Sequence, residues 1–227
     1  MERNTEGLIG YTLAATDGEI GEVVDFYFDD ETWTIRYLVV KTGGWLSGRK
    51  VLISPAALLH KTLGPDSIPV NLTRQQVETS PDIDTDRPVS RQKQAMLNKH
   101  YFWDNYWGTG VYGGQMGVDD VPPVYLKPSE LDPNEDIHLR SVSEVAGCAI
   151  LATDGDIGHV NDMIVDVQSW KITNLVVDTH DFLGGKKVLI PVGDVELISF
   201  VNSRVRLDIK QAEVEHSPLF DADAYKG

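Results

Sequence analysis

The sequence predicts a mainly β protein, two small antiparallel β-barrels in pseudo-twofold tandem, with a short helix and an irregular aromatic segment between them. Three observations carry this expectation. Ala15-Thr16-Asp17-Gly18-Glu19-Ile20-Gly21-Glu22-Val23 returns 137 residues later as Ala152-Thr153-Asp154-Gly155-Asp156-Ile157-Gly158-His159-Val160, and Lys50-Val51-Leu52-Ile53 returns at the same offset as Lys187-Val188-Leu189-Ile190. A constant offset means that neither copy has gained or lost a residue, and so long a period marks a duplicated domain rather than a stacked repeat unit. Within each copy the apolar residues follow a period of two, with turn signals at close spacing. Between the copies lies a stretch that matches neither. The expected bounds are 7–87 for the first barrel, 88–140 for the linker and 141–223 for the second barrel.

The elements follow in order. Thr16-Asp17-Gly18-Glu19 and its counterpart at Thr153 supply the Asp-Gly pair that favours a tight hairpin. In Val23-Val24-Asp25-Phe26-Tyr27-Phe28-Asp29 the alternation places Val24, Phe26 and Phe28 on one face and Asp25 and Asp29 on the other. Met163, Val165, Asp162 and Asp166 repeat the arrangement. The polar loop Asp29 to Trp33 leads into Thr34-Ile35-Arg36-Tyr37-Leu38-Val39-Val40-Lys41, rich in β-branched and aromatic residues as a buried strand should be. Short strands follow at Lys50 to Ile53, Leu58 to Thr62 and Ser67 to Leu72. Thr73 to Glu78 then reads as one helical turn ending before Pro81. Five or six such strands describe a small barrel. In the linker, Ser90 caps a run of helix formers from Arg91 to Lys99. Tyr101, Phe102, Trp103, Tyr106 and Trp107 then put five aromatics into seven residues, ahead of a glycine-rich run and Pro122-Pro123. Such rings either cover the seam between the barrels or present an apolar patch to a partner. Domains this small bury little core, so a shared interface is expected.

Composition excludes several function classes. Thirty-five Asp and Glu against 20 Lys and Arg leave a net charge of −15. So negative a chain repels phosphate backbones and anionic lipid, so neither nucleic acid nor direct membrane insertion is expected. Cys148 is the single cysteine, which rules out a disulfide within the chain; it reads as a small buried hydrophobe. Met1 to Glu6 lack the basic start and apolar run of a signal peptide, and no stretch approaches the ~20 apolar residues of a membrane span. The expected location is cytoplasmic, free or peripheral to the inner membrane.

No catalytic or metal-binding constellation is legible, and no cofactor is expected. Asp17-Gly18-Glu19 and Asp154-Gly155-Asp156 lack the ligand spacing of a calcium loop, and a hairpin accounts for both residue types. The repeated pairs Asp25/Asp162 and Asp29/Asp166 read as partners of strand ends and turn amides, with acid–base or proton-carrying work as the alternative. Gly18, Gly21, Gly155 and Gly158 complete the repeated turn-and-strand set. The six histidines show no ligand spacing, and none recurs at the repeat offset. Gly184-Gly185-Lys186-Lys187 lacks the rest of a phosphate loop and reads as a turn.

The ordered set Thr16 to Gly21 with Val23 and Asp25, then Tyr37-Leu38-Val39-Val40, then Lys50-Val51-Leu52-Ile53 before Pro55, resembles the PRC-barrel family. In the second copy the features are Thr153 to Gly158 with Val160 and Asp162, Leu175-Val176-Val177, and Lys187-Val188-Leu189-Ile190-Pro191. This family is the β-barrel of the photosynthetic reaction-centre H subunit and of a ribosome maturation factor. The resemblance implies two PRC-type barrels without catalytic residues, and a protein-interaction or assembly role with an unidentified protein partner or a second copy of the chain. One alternative is a peripheral, H-subunit-like component of a photosynthetic or redox membrane complex. Another is a ligand binder or enzyme with its site between the barrels.

Overall fold

A computed structural model describes residues 1–46, 48–59, 63–80, 138–179, 183–199 and 202–226. The first half contains β1 (Glu2–Asn4), β2 (Thr12–Ala15), β3 (Gly18–Asp29), β4 (Thr34–Thr42), β5 (Lys50–Ile53), β6 (Ser67–Pro69) and helix α1 (Arg74–Glu78). The second contains β7 (Leu139–Ser141), α2 (Val142–Val145), β8 (Ala149–Ala152), β9 (Gly155–Asp166), β10 (Lys171–Asp178) and β11 (Lys187–Pro191). It continues with β12 (Val195–Ser199), β13 (Arg204–Leu207), α3 (Gln211–Val214) and α4 (Ala222–Tyr225). The fold is mainly β, as the repeat and the period-two patterning predict.

Strand pairing repeats at the sequence offset, residue for residue. Leu13 faces Gly21 as Ile150 faces Gly158, Phe26 faces Leu38 as Met163 faces Leu175, and Leu38 faces Ile53 as Leu175 faces Ile190. A one-residue slip in either copy would turn a core face toward water, so the identical register is what an ungapped duplication requires. The expectation of purely antiparallel barrels needs one correction. β2 runs parallel to β6 and β8 parallel to β13, because the chain returns through a 3-10 turn and a reversal and lies beside the first strand in the same direction.

A second correction concerns β3. The alternation predicts Val24 in the core with Phe26 and Phe28, yet Val23, Phe26 and Phe28 are fully buried and Val24 only half-buried. A bulge lies between Val23 and Asp25, and another at the same place in β9 between Val160 and Asp162. One extra residue there resets the alternation, which period-two counting does not foresee.

Gly21 and Gly158 are set by the packing of β3 on β4 and of β9 on β10. A Cβ at either would lie 2.0 Å from the carbonyl oxygen of Lys41 or Asp178, so no side chain fits. The two helical turns that close the barrels dock on the tight hairpins: the Asp17 carboxylate accepts the Arg74 amide and the Asp154 carboxylate the Gln211 amide, both at 2.8 Å. The Asp of each Asp-Gly pair thus caps a helix N-terminus as well as serving its turn.

The halves are joined through strand exchange. β1 pairs antiparallel with β9 of the other half, and β7 pairs with β3 in the same register: Glu2 faces Asp166 as Leu139 faces Asp29. The bounds 7–87 and 141–223 read from the repeat divide these pairings. Residues 2–4 and 139–141 belong by sequence to one copy and by hydrogen bonding to the other. Of the linker read as 88–140, residues 88–137, the predicted helix among them, fall outside the described residues, and Leu139–Ser141 is strand.

Candidate functional site at the junction of the barrels

The junction is built around the pseudo-twofold relation. Trp33 and Trp170 hold the same place in the two long hairpins, and both adopt left-handed backbone, φ 52° and 56°. That conformation is uncommon for a residue with a side chain. Here it turns each carbonyl across the seam, where Trp170 O accepts the Ile35 amide at 2.8 Å and Trp33 O the Ile172 amide at 2.7 Å. The Trp33 ring stacks on Phe28 at 5.5 Å, and the Trp170 ring lies 6.3 Å from Phe26 of the other half. All but three of the buried apolar side chains described accordingly form one cluster running through both barrels.

The repeated carboxylates stitch this junction. Asp162 accepts the Asn4 side-chain amide at 2.8 Å, the Thr5 hydroxyl and the Glu6 amide at 3.1 Å, all from the other half, and the amide of Met163 at 2.7 Å. Asp25 does the same in reverse, accepting the Ser141 hydroxyl at 2.6 Å, the Ser143 hydroxyl at 2.8 Å and amide at 3.1 Å, and the Phe26 amide at 2.8 Å. Asp29 and Asp166 instead close their own hairpins. Asp29 accepts the Thr32 amide and hydroxyl, and Asp166 the Ser169 amide and hydroxyl. The Ser169 hydroxyl, then the N-terminal ammonium 3.0 Å away, hold the Asp166 carboxyl down to about 2, against a small opposing effect of desolvation.

Cys148, which aligns with Tyr11, is buried, and its thiol is pushed up by burial and then by the charge of Glu144. A thiol in that state is a poor nucleophile. Gly184 and Gly185 have positive φ in a turn leading into β11. Among the described residues no group of three His, Cys, Asp or Glu is placed to hold a metal ion. Nor is any helix among them long and apolar enough to cross a membrane. The aromatic cluster Tyr101, Phe102, Trp103, Tyr106 and Trp107 lies outside the described residues, as do His60, His100 and His180.

One polar cluster has no counterpart in the other half. Asp30 lies 2.9 Å from His138 Nδ1 and accepts Arg140 Nε at 2.6 Å, and Glu31 lies 3.6 Å from His138 Nε2. The positions matching Asp30, Glu31 and His138 are Val167, Gln168 and Met1. These side chains, with Trp33, line a cleft of about 340 Å³ whose opposite wall is β12 of the second barrel. Among the described residues β12 ends the strand order and pairs with β13 along one edge only, and Leu197 on it is 43% exposed. The cleft therefore joins an open strand edge, an exposed apolar side chain and a braced set of charges. Its parts are far apart in the chain, so no local pattern in the sequence reveals it. The only trace is a difference between copies, Asp30-Glu31 against Val167-Gln168.

The PRC-barrel domain family matches the chain over two segments, residues 6–77 and 138–214. No curated protein matches it.

Proposed function

Because the chain belongs, twice over, to the PRC-barrel domain family, we propose that it is a non-enzymatic adaptor, a stiff two-barrel body that docks another protein at the β12 cleft. PRC-barrel domains serve in protein-interaction and assembly roles. The carrying observation is the edge of β12, open among the described residues, with exposed Leu197 beside the Asp30–His138–Arg140 cluster. An open edge offers main-chain hydrogen bonds to an extended partner segment, and the apolar side chain and charges beside it supply selectivity. Support for a non-catalytic role comes from the repeated carboxylates: Asp17, Asp25, Asp29 and their counterparts are all engaged with amides and hydroxyls that hold turns, caps and the junction.

The test is cross-linking capture from the native cell with the unsubstituted chain and with Leu197→Asp, alongside their melting curves. Leu197 is exposed, so the substitution should leave stability within about 0.5 kcal/mol. A partner captured by the first and lost with the second, at unchanged melting temperature, supports the reading. Identical captured sets from both would show that the β12 cleft is not the docking surface.

A further inference from the structure

After α3 the chain turns at Ser217-Pro218 and comes back along β11. The Leu189 amide donates to Pro218 O at 2.9 Å, the Phe220 amide donates to Lys187 O at 2.9 Å, and Val188 bridges Leu219 in antiparallel sense. The C-terminal segment thus lies along the outer edge of β11, joined to it by a single antiparallel bridge. Beyond it the rings of Phe220 and Tyr225 stack, 5.7 Å apart and 19° from parallel, over Ile164, Val176 and Leu189. These three side chains form a small apolar strip separate from the main core. The burial is lopsided. Ile164 and Val176 are 0% exposed and Leu189 8%, yet no residue of 218–226 is buried, and Leu219 is 63% exposed. A segment that stays wet while covering dry residues, held by two backbone bonds, one Arg3 bond to its last carbonyl and two half-buried rings, sits at the low end of local opening free energy.

The bordering charges add chemistry. Lys186 and Lys187 are exposed beside the groove, and Arg3 reaches the end of the segment, donating to Lys226 O at 2.8 Å. The covering segment brings Asp221 and Asp223 next to its aromatic anchors. We propose that the β11 edge and the Ile164–Val176–Leu189 strip form a strand-addition groove for an extended partner segment with an aromatic residue flanked by carboxylates, residues 218–226 being its resident, displaceable occupant. Main-chain pairing to Lys187 O and the Leu189 amide supplies affinity, and the strip selects the aromatic side chain. The groove shares no residue with the β12 cleft, so either surface can fail alone. Displacement would also free the end of β1, which α4 contacts, and so loosen one arm of the strand exchange.

The test uses the full chain and a fluorescein-labelled synthetic peptide with the sequence of residues 216–226. In the chain carrying Phe220→Ser and Tyr225→Ser the resident segment loses both anchors, and the peptide should bind saturably. To the unsubstituted chain it should bind about 10–100-fold more weakly, because the tethered segment competes at roughly millimolar effective concentration. A peptide with the same two serines should not bind saturably. The inference is overturned if the doubly substituted chain keeps its cooperative melt and does not bind the peptide, or binds both peptides alike. If the double substitution abolishes the cooperative melt, hydrogen exchange on the unsubstituted chain decides. Leu189 and Phe220 amides that open well ahead of the β9–β10 ladder support the groove, and amides that exchange only with global unfolding overturn it.

Discussion

Asp162 is 4% exposed and gathers hydrogen bonds from four residues, three of them in the other half of the chain. Replacing it with Ala leaves the Asn4 amide and the Thr5 hydroxyl at a buried junction without their acceptor. Each such loss costs about 1–3 kcal/mol, so the two together should make Asp162→Ala lower stability by about 2–6 kcal/mol in urea unfolding. The same change at Asp156, whose side chain is exposed on β9, should fall within about 0.5 kcal/mol. Asp166 allows a test by pH. Its carboxyl is held at about 2, against about 3.9 in an unfolded chain, so the stability it adds is complete above the unfolded value and disappears as pH falls through the folded one. The gap in urea midpoint between the unsubstituted chain and Asp166→Asn should therefore be widest near about pH 6 and shrink steadily from about pH 4 down to about pH 2. At 27% side-chain exposure the effect is modest, and a gap that does not change with pH would show that the Ser169 and ammonium contacts contribute nothing.

At the scale of the element, the hairpin tips decide how the barrels meet. Trp170 is 6% exposed with φ 56°, so two opposing contributions act at one residue. Loss of the ring should cost about 3–5 kcal/mol, as for other large buried truncations. Left-handed backbone, however, favours glycine over any residue with a Cβ. Trp170→Gly should therefore be less destabilising than Trp170→Ala by about 1 kcal/mol, the reverse of the usual order within a strand. Equal losses, or a worse glycine, would mean that the backbone there is unstrained. Much of this level is legible in the sequence. The Asp-Gly hairpins, the strand at Thr34 to Thr42 and the turn capped by Thr73 all announce themselves through local chemistry. The bulge at Val24 does not, because nothing in Val23-Val24-Asp25 says which valine faces the core. The strands Glu2–Asn4 and Leu139–Ser141 do not either: three residues carry no period, and their partners lie in the opposite half of the sequence. The β12 cleft stays hidden for the same reason, since His138 and Asp30 meet only once that exchange has formed.

For the whole molecule, a duplicated gene product has kept a dimer's logic within one chain. Each barrel lends its first strand to the other, each hairpin tip accepts an amide from the other, and each of Asp25 and Asp162 caps the segment that follows the lent strand. These contacts come in twofold pairs and bury a continuous core, which is the anatomy of an obligate homodimer interface. The seam contacts alone are therefore expected to hold the two halves together once the covalent connection is cut. If a protease site flanked by glycine–serine spacers is inserted between Gly117 and Val118 of the full chain and cut after folding, the two fragments should elute together from a sizing column. They should part only in denaturant, and the melt should remain a single transition at protein concentrations well above the dissociation constant. Asp162→Ala, by weakening one arm of the exchange, should make the cut form separate at lower urea than the uncut form unfolds, because cutting removes the tether's high effective concentration. Fragments that elute apart in plain buffer would mean that the exchange is held by the tether and that the seam is too weak to serve as the stiff frame an adaptor needs.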